Sequence, residues 1–408
     1  MNAPFGLIGF PLGHSFSREI HERLGRYAYE LVPLPPEELA PFLRARAFQG
    51  LNVTIPYKQA VIPFLDGLSP RARAIGAVNT VVKRADGSLF GDNTDFYGLQ
   101  RLAVRAGIPL SGKVVVFGNG GAAQAARAVV EAAGGKPLLV SRHGADATYA
   151  ELPAHADADA AINTTPVGMY PDTEAQVTDL AVFRKLRGFI DVVYNPARTR
   201  LLQQAEELGI PRAGGLGMLV GQACAACELF TGKPLEEGVE EKILDDIARK
   251  TRSLVLVGMP GSGKTTLAAA WAQRLGRKAY DTDREIVARA GKSIPHIFAE
   301  DGERAFRALE KEVVRDFGKE SGIVLATGGG AVLDPENRKN LRQNALVVRL
   351  VRPLDALPRV GRPLSRDRDA LEAMAAAREP FYRAVADETV ENRGTRDETL
   401  GKLLAIQS

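Results

Sequence analysis

Two hydrophobic rhythms alternate along this chain. Short apolar runs at 6–12 (GLIGFPL) and 51–56 (LNVTIP) predict strands, and 77–95 (AVNTVVKRADGSLFGDNTD) predicts a hairpin. Apolar positions at helical spacing lie around 17–27 and 37–47, so residues 1–97 read as a small α/β domain. From about 98 the pattern changes. A helix (GLQRLAVRAGI) is followed by a buried strand (KVVVFGN), a glycine turn, an alanine-rich helix and a second strand at 136–142 (KPLLVSR), which together predict a βαβ unit. The charged, helically patterned segment 239–252 (VEEKILDDIARKTR) runs straight into another apolar strand, SLVLVG. The main boundary is placed there, and without a Gly/Ser-rich or proline-rich tether the joint is expected to be stiff.

A length of 408 residues exceeds one ordinary core and predicts two or three domains. Hydrophobic residues at 45% and charged residues at 25% fit a soluble globular enzyme. The 53 basic and 49 acidic residues leave a net charge of +4 with no long basic run, which speaks against a nucleic-acid partner. No apolar run reaches membrane-spanning length, and the opening MNAPFGLIGFPLGHS has no basic leader and interrupts its apolar run with glycine and proline. A reduced cytoplasm is the expected compartment. Cys224 and Cys227 form a single CxxC with no second ligand pair, and the surrounding GQACAACELF predicts helix packing rather than chemistry.

Candidate chemistry begins in GNGGAA. Gly118 permits a tight turn, Gly120 lets backbone approach a pyrophosphate, and Ala123 is small enough for close helix packing, while the following helix offers N–H groups and a positive dipole end. Between two strands this predicts a Rossmann-type dinucleotide site; a glycine turn in another α/β domain is the plainer alternative. The end of the next strand reads Ser141-Arg142-His143, where an NAD-selecting fold would place a carboxylate. A guanidinium pairs with a 2′-phosphate, so NADP(H) is the expected cofactor.

The segments GFPLGHSFSREIH, LNVTIPYK, GAVNT, GDNTD, GNGGAA, INTTPVGM, DVVYNP and GGLGMLVGQA, in this order over roughly 1–245, resemble shikimate dehydrogenase. The resemblance implies reduction of 3-dehydroshikimate to shikimate, with Lys58 and Asp95 as the catalytic pair. It also implies Ser15 and Ser17 on the substrate carboxylate, and Thr54, Asn79, Tyr194 and Gln222 around the ring. For the cofactor it implies Gly118, Asn119, Gly120, Gly121, Ala122, Ser141, Arg142, Val192 and Gly215. One departure stands out: the turn often reads Asn-Arg-Thr with a further basic residue in relatives, whereas here Asp146 follows and NADP preference rests on Arg142. Taken singly, Lys58 could be a solvated lysine, Asp95 a helix cap and Asn79 a turn residue.

A second loop, GMPGSGKT, fits G-x-x-x-x-G-K-[ST] with Gly258, Gly263, Lys264 and Thr265, after an apolar strand and before a helical segment. Such a loop cradles phosphates with backbone N–H groups, and it predicts Gly261, Ser262, Gly263, Lys264, Thr265 and Thr266 as ATP contacts, with Thr265 on Mg²⁺. Downstream, YDTDREI, IFAEDGERAFRALE, LATGGGAV, GRPL and REPFYRAVAD resemble shikimate kinase over about 252–408. This resemblance implies that Asp283 binds and orients the acceptor hydroxyl, with the option of acting as its base, and that Arg307 and Arg378 grip a carboxylate. Gly329 would let backbone approach the ring, Asp281 would help hold hydrated Mg²⁺, and Arg362 would reach from a lid to the phosphoryl group. The lid segment is a few residues shorter than in typical relatives. The plainer alternatives are that DTD caps a helix and that Arg307 pairs with Glu303 or Glu310.

The expected architecture is therefore a small α/β substrate domain (1–97) on which helices at about 221–248 pack back, a Rossmann-type NADP domain (98–220), and a P-loop domain of the nucleoside-monophosphate-kinase type with a parallel sheet (252–408). The expected function is bifunctional: NADPH-dependent reduction, then ATP- and Mg²⁺-dependent phosphorylation of the hydroxyl it creates. The alternative is a quinate/shikimate-type oxidoreductase fused to a non-catalytic module that senses ATP or shikimate.

Overall fold

The computed structural model describes residues 4–12, 15–25, 27–357 and 368–407. The chain divides into two compact units, Met1–Ile247 and Ala248–Ser408, with the division inside the helix Val239–Thr251. Among the described residues no helix is long and apolar enough to cross a membrane.

The first unit holds two sheets. One is mixed and six-stranded, in the order Tyr29–Pro33, Phe5–Gly9, Gly50–Val53, Thr80–Lys83, Leu89–Asp92, Gly67–Leu68. Thr80–Lys83 and Leu89–Asp92 form the expected hairpin, pairing antiparallel with Val82 opposite Phe90. The other sheet is parallel throughout, in the order Arg212–Gly214, Phe189–Asp191, Ala160–Asn163, Lys113–Phe117, Lys136–Val140. Its interior strand KVVVF is apolar without alternation because both faces are covered. Val114 and Val116 pack against Ala123, Ala126 and Val130 of the helix Gly121–Ala132. Val115 and Phe117 face Leu152, Leu180 and Leu202 on the other side. A parallel strand with helices on each face has no solvated side to mark with polar residues.

Two helices carry side chains from the second half of this unit to the first. Asp95–Arg105 and Leu216–Thr231 cross where Gly98 meets Gly221; a Cβ on Gly98 would lie 2.5 Å from the Met218 carbonyl, so only glycine permits the approach. Further along, Val220, Ala223 and Cys224 share a core with Ile20, Ile243 and Ile247. Cys224 and Cys227 are buried free thiols in this helix, and burial pushes the Cys224 thiol up to about 12. The packing expected of the CxxC is what they do.

The second unit is one parallel five-stranded sheet, in the order Ala279–Asp281, Val324–Ala326, Ser253–Val257, Ala345–Val351, Glu388–Glu391. Leu254 and Leu256 pack with Leu267, Trp271 and Leu403 on one face, and Val255 and Val257 with Val314, Leu341 and Tyr382 on the other. Because Ser253–Val257 lies beside Val324–Ala326, the loops after these strands, GMPGSGKT and TGGGA, emerge side by side. Loops at the carboxyl ends of neighbouring parallel strands are where such sheets bind ligands.

One buried group makes the first unit sensitive to acid. His21 stacks on Tyr29 with ring centroids 4.3 Å apart, its Nδ1 lies 2.8 Å from Tyr27 Oη, and burial pushes its pKa down to about 3. In the unfolded chain a histidine takes its proton near its ordinary value, so stability present above that pH is lost as pH falls. Between pH 7 and pH 5 the loss from His21 should be about 2 kcal/mol. Denaturant unfolding at the two pH values, compared with His21→Gln, measures it; an identical pH response in the variant would remove His21 as the cause.

Candidate functional site

In the first unit the site starts where the strand Gly50–Val53 ends. The Thr54 N–H donates to the Ile8 carbonyl at 2.9 Å, and the turn that follows is closed by Tyr57 N–H donating to the Thr54 carbonyl at 2.9 Å. Tyr57 Oη donates to the Leu34 carbonyl at 2.5 Å, and the Lys58 carbonyl accepts from Val78 N–H at 2.7 Å. Backbone on both sides of Lys58 is thus anchored. Its Nζ lies 2.6 Å from Asp95 Oδ2, with the two side chains 19% and 9% exposed. Asp95 opens the helix Asp95–Arg105, and its other oxygen accepts from Asn79 Nδ2 at 2.8 Å.

The Asn79 amide is itself fixed. Its Oδ1 accepts from the Thr94 N–H at 2.6 Å and from the Thr94 and Thr80 hydroxyls at 3.1 Å each. A flipped amide would turn its NH₂ toward the Thr94 N–H. Gln222 donates to the Leu219 carbonyl at 2.9 Å and presents its Oε1 3.5 Å from Thr94 Oγ1. Lys58, Asp95, Asn79 and Gln222 therefore form one set, as a pure cap or turn role for each would not require. Ser15, Ser17, Thr54 and Tyr194 stand outside that set. Ser15 and Ser17 are paired hydroxyl to hydroxyl at 3.1 Å, and Tyr194 is half-buried with its ring 5.8 Å from Phe16.

The first glycine loop meets this set. Gly118 has φ 115°, and a Cβ there would lie 2.7 Å from Thr164 Oγ1. Gly120 differs, since a Cβ would meet nothing within 4 Å and no protein neighbour requires its glycine. The helix Gly121–Ala132 begins without a side-chain cap, which leaves its first N–H groups free for an anion. A methyl on Gly121 would lie 3.3 Å from Lys58 Cδ, so the loop runs directly beside the lysine stem. Ala122 follows it in the first turn of the helix. Asn119 Nδ2 and Ser141 Oγ both donate to the His143 carbonyl, at 2.8 and 2.5 Å, which fixes the turn that exposes Arg142 opposite the loop. Asp146 is already engaged: one carboxylate oxygen accepts from Leu139 N–H at 2.9 Å and from Arg127 at 2.7 Å. Val192 and Gly215 lie together, and a Cβ on Gly215 would collide with the Val192 carbonyl.

In the second unit, Gly263 has φ 99° and the helix Lys264–Leu275 also starts without a side-chain cap. Lys264 Nζ donates to the Gly258 and Met259 carbonyls at 2.8 and 2.9 Å, which holds it inside the loop. Ser262 is buried with an unpartnered hydroxyl, Gly261 has φ 84°, and Thr266 is exposed in the first turn. Thr265 Oγ1 donates to Asp281 Oδ2 at 2.5 Å, while Asp281 Oδ1 accepts from Asp283 and Arg284 N–H at 3.0 and 3.3 Å. Asp281 thus caps the helix Thr282–Ala290 and keeps one oxygen on the phosphate-loop hydroxyl. A hydroxyl and a carboxylate at this spacing fit Mg²⁺, which completes its shell with phosphate and water.

Asp283 faces the TGGGA loop, where a Cβ on Gly328 would lie 2.6 Å from its Oδ1. Arg307 donates to Glu310 at 2.7 Å and to Glu303 at 3.2 Å, and its guanidinium lies against Gly330. Arg378 is 8% exposed on the helix Arg368–Val385. Arg362 lies outside the described residues, as does the GRPL segment.

Three family models match the chain: shikimate dehydrogenase substrate binding domain over 7–81, shikimate 5'-dehydrogenase C-terminal domain over 215–239, and shikimate kinase over 260–406. A shikimate dehydrogenase (NADP(+)) of Clostridium perfringens is 37% identical over 265 residues, which span 60% of this chain and 97% of the relative. Shikimate dehydrogenase 1 of Peptoclostridium difficile superposes with TM-score 0.56 at 33% identity, over 60% of this chain and 97% of that one. The Thermus thermophilus enzyme, solved with NADP(H) and shikimate, gives 0.55 at 33% identity over 59% and 98%. The chain belongs to the shikimate dehydrogenase family, with a shikimate kinase domain fused after it.

The dehydrogenase and kinase units contain polar groups that sequence reasoning missed. Thr80 and Thr94 lock Asn79 in the dehydrogenase, and their signal was their place inside GAVNT and GDNTD. Asp191, fully buried, accepts from Asn163, Val193 N–H and Thr199, and burial pushes it up to about 6. In the kinase, Glu310 is 1% exposed; burial raises its carboxyl against the pull of Arg307. The Arg307 pairs foreseen as a plain alternative both exist, but one partner is this buried acid beside Asp283. Gly329 also has a different reason to be glycine from the one expected. A Cβ would lie 2.6 Å from Pro260 Cδ and 3.0 Å from Pro260 N, so close packing on the phosphate loop excludes any side chain. Gly329→Ala should therefore destabilise the kinase unit by about 1–3 kcal/mol. Thermal unfolding followed through Trp271 in the kinase core reads this, and an unchanged midpoint would mean that the two loops separate freely.

Proposed function

We propose that the dehydrogenase unit reduces 3-dehydroshikimate to shikimate with NADPH and that the kinase unit phosphorylates the shikimate 3-hydroxyl with ATP and Mg²⁺. The observation that carries the first reaction is the Lys58–Asp95 contact at 2.6 Å, with the lysine stem against Gly121 of the dinucleotide loop. A proton donor held beside the dinucleotide loop supports this reading. NADPH supplies the hydride when bound. Lys58 gives the forming alkoxide its proton, and takes it back in the reverse reaction, while Asp95 keeps the ammonium in place. Ser15 and Ser17 hold the substrate carboxylate, and Thr54, Asn79, Tyr194 and Gln222 recognise ring oxygens, since a polyol acid offers little apolar area. Gly118 to Ala122, Val192 and Gly215 border the cofactor. The fixed turn at Ser141 to His143 presents Arg142 to a 2′-phosphate, and Asp146, tied to Leu139 and Arg127, is no rival acceptor for a ribose hydroxyl.

In the kinase unit, ATP with Mg²⁺ supplies the phosphoryl group and neutralises its charge. The loop from Gly261 to Thr266 cradles the phosphates, Thr265 and Asp281 hold the metal, and Lys264 exchanges its loop carbonyls for phosphate oxygens. Asp283 orients the acceptor hydroxyl, Arg307 and Arg378 bind the carboxylate, and Arg362 is proposed to meet the phosphoryl group. On this reading residues 1–97, with the helices from about 221, form the substrate domain, 98–220 the NADP domain and 252–408 the kinase.

Incubation with 3-dehydroshikimate, NADPH, ATP and Mg²⁺ should yield shikimate 3-phosphate by mass spectrometry, and only when both cofactors are present. Shikimate accumulating beside unconsumed ATP would instead make the second unit a sensor. Lys58→Ala should lower reduction roughly 10²–10⁴-fold and spare phosphorylation of added shikimate. Asp283→Asn should do the reverse. A folded variant that lost both reactions would contradict independent sites.

A further inference from the structure

Tyr382 has no part in the chemistry above, yet it touches both loops of the kinase site. It is 2% exposed on the helix Arg368–Val385, one turn beyond Arg378. Its Oη donates to the Gly329 carbonyl at 2.6 Å and lies 3.9 Å from Met259 Sδ in the phosphate loop. Arg378 pulls the phenol pKa down, but burial outweighs it and pushes the phenol up to about 12, so it keeps its proton. A phenol has one proton to give and lone pairs to accept, so it can donate to Gly329 and receive from a guanidinium at once. Gly329 sits against Pro260 and its neighbour Gly330 against Arg307.

We infer that the Tyr382 hydroxyl is a positioning group for the kinase acceptor site, setting the Gly329 carbonyl and the Arg378 guanidinium in register with the phosphate loop. This rests on the reading that Arg378 and the TGGGA loop face shikimate. Phenylalanine has the same shape without the hydroxyl, so the core around Val314 and Val347 stays filled while the Gly329 carbonyl loses its donor and Arg378 its neighbouring phenol.

The test is steady-state phosphorylation by Tyr382→Phe in the full chain. The shikimate KM should rise about tenfold, the order of one buried hydrogen bond to a charged partner, with the ATP KM within about twofold. Reduction of 3-dehydroshikimate, measured on the same preparation, should be unchanged. Equal rises in both KM values with a lowered melting midpoint would overturn the inference in favour of a purely structural hydroxyl, as would wild-type kinetics. Arg378→Lys serves as the control on the underlying reading. If it leaves the shikimate KM unchanged, the acceptor assignment fails; if it raises that KM while Tyr382→Phe does not, only the positioning role fails.

Discussion

Both units depend on a helix that begins with its N–H groups uncapped. Four other helices are closed by side chains: Ser69, Thr199, Asp281 and Asp334 each accept from the first turn of the helix they precede. At Gly120 and Gly263 no side chain does so. The two helices follow the interior strands Lys113–Phe117 and Ser253–Val257, so the uncapped ends lie at the carboxyl edges of parallel sheets. Unsatisfied donors aligned with a helix dipole favour phosphate.

The two loops solve the same problem with different partners. In the dehydrogenase the loop borders the stem of a lysine carried by another sheet, and the lysine is held by a carboxylate whose second oxygen is held by Asn79. On the proposed reading, proton transfer needs a donor whose position does not wander, and the hydrogen bonds behind Asn79 would supply that constraint. In the kinase the loop holds its own lysine, and the neighbouring TGGGA loop is pressed on Pro260 and braced by Tyr382. On the proposed reading the demand here is placement of two reactants, and packing between the two loops would meet it.

Charge in the kinase pocket is balanced before any ligand enters. Arg307 and Arg378 face Glu310 and Asp283, and Glu310 is almost fully buried. A buried acid next to a guanidinium limits the cost of desolvating either alone and keeps the arginine in one rotamer. In the dehydrogenase buried Asp191 is instead held by three neutral donors, Asn163, the Val193 N–H and Thr199.

The sequence by itself determined the main elements and both families. Unbroken apolar runs mark strands buried on both faces, glycine spacing marks the phosphate turns, and motif order carries the families, because these depend on neighbours along the chain. Contacts between distant segments were decided only by the tertiary structure. Gly98 against the helix at Met218, Gly329 against Pro260 and Tyr382 beneath Gly329 join residues from 53 to about 120 positions apart. No periodicity reports such meetings, since each glycine reads locally as a turn or a flexible point until the atom that fills its missing side chain is in place.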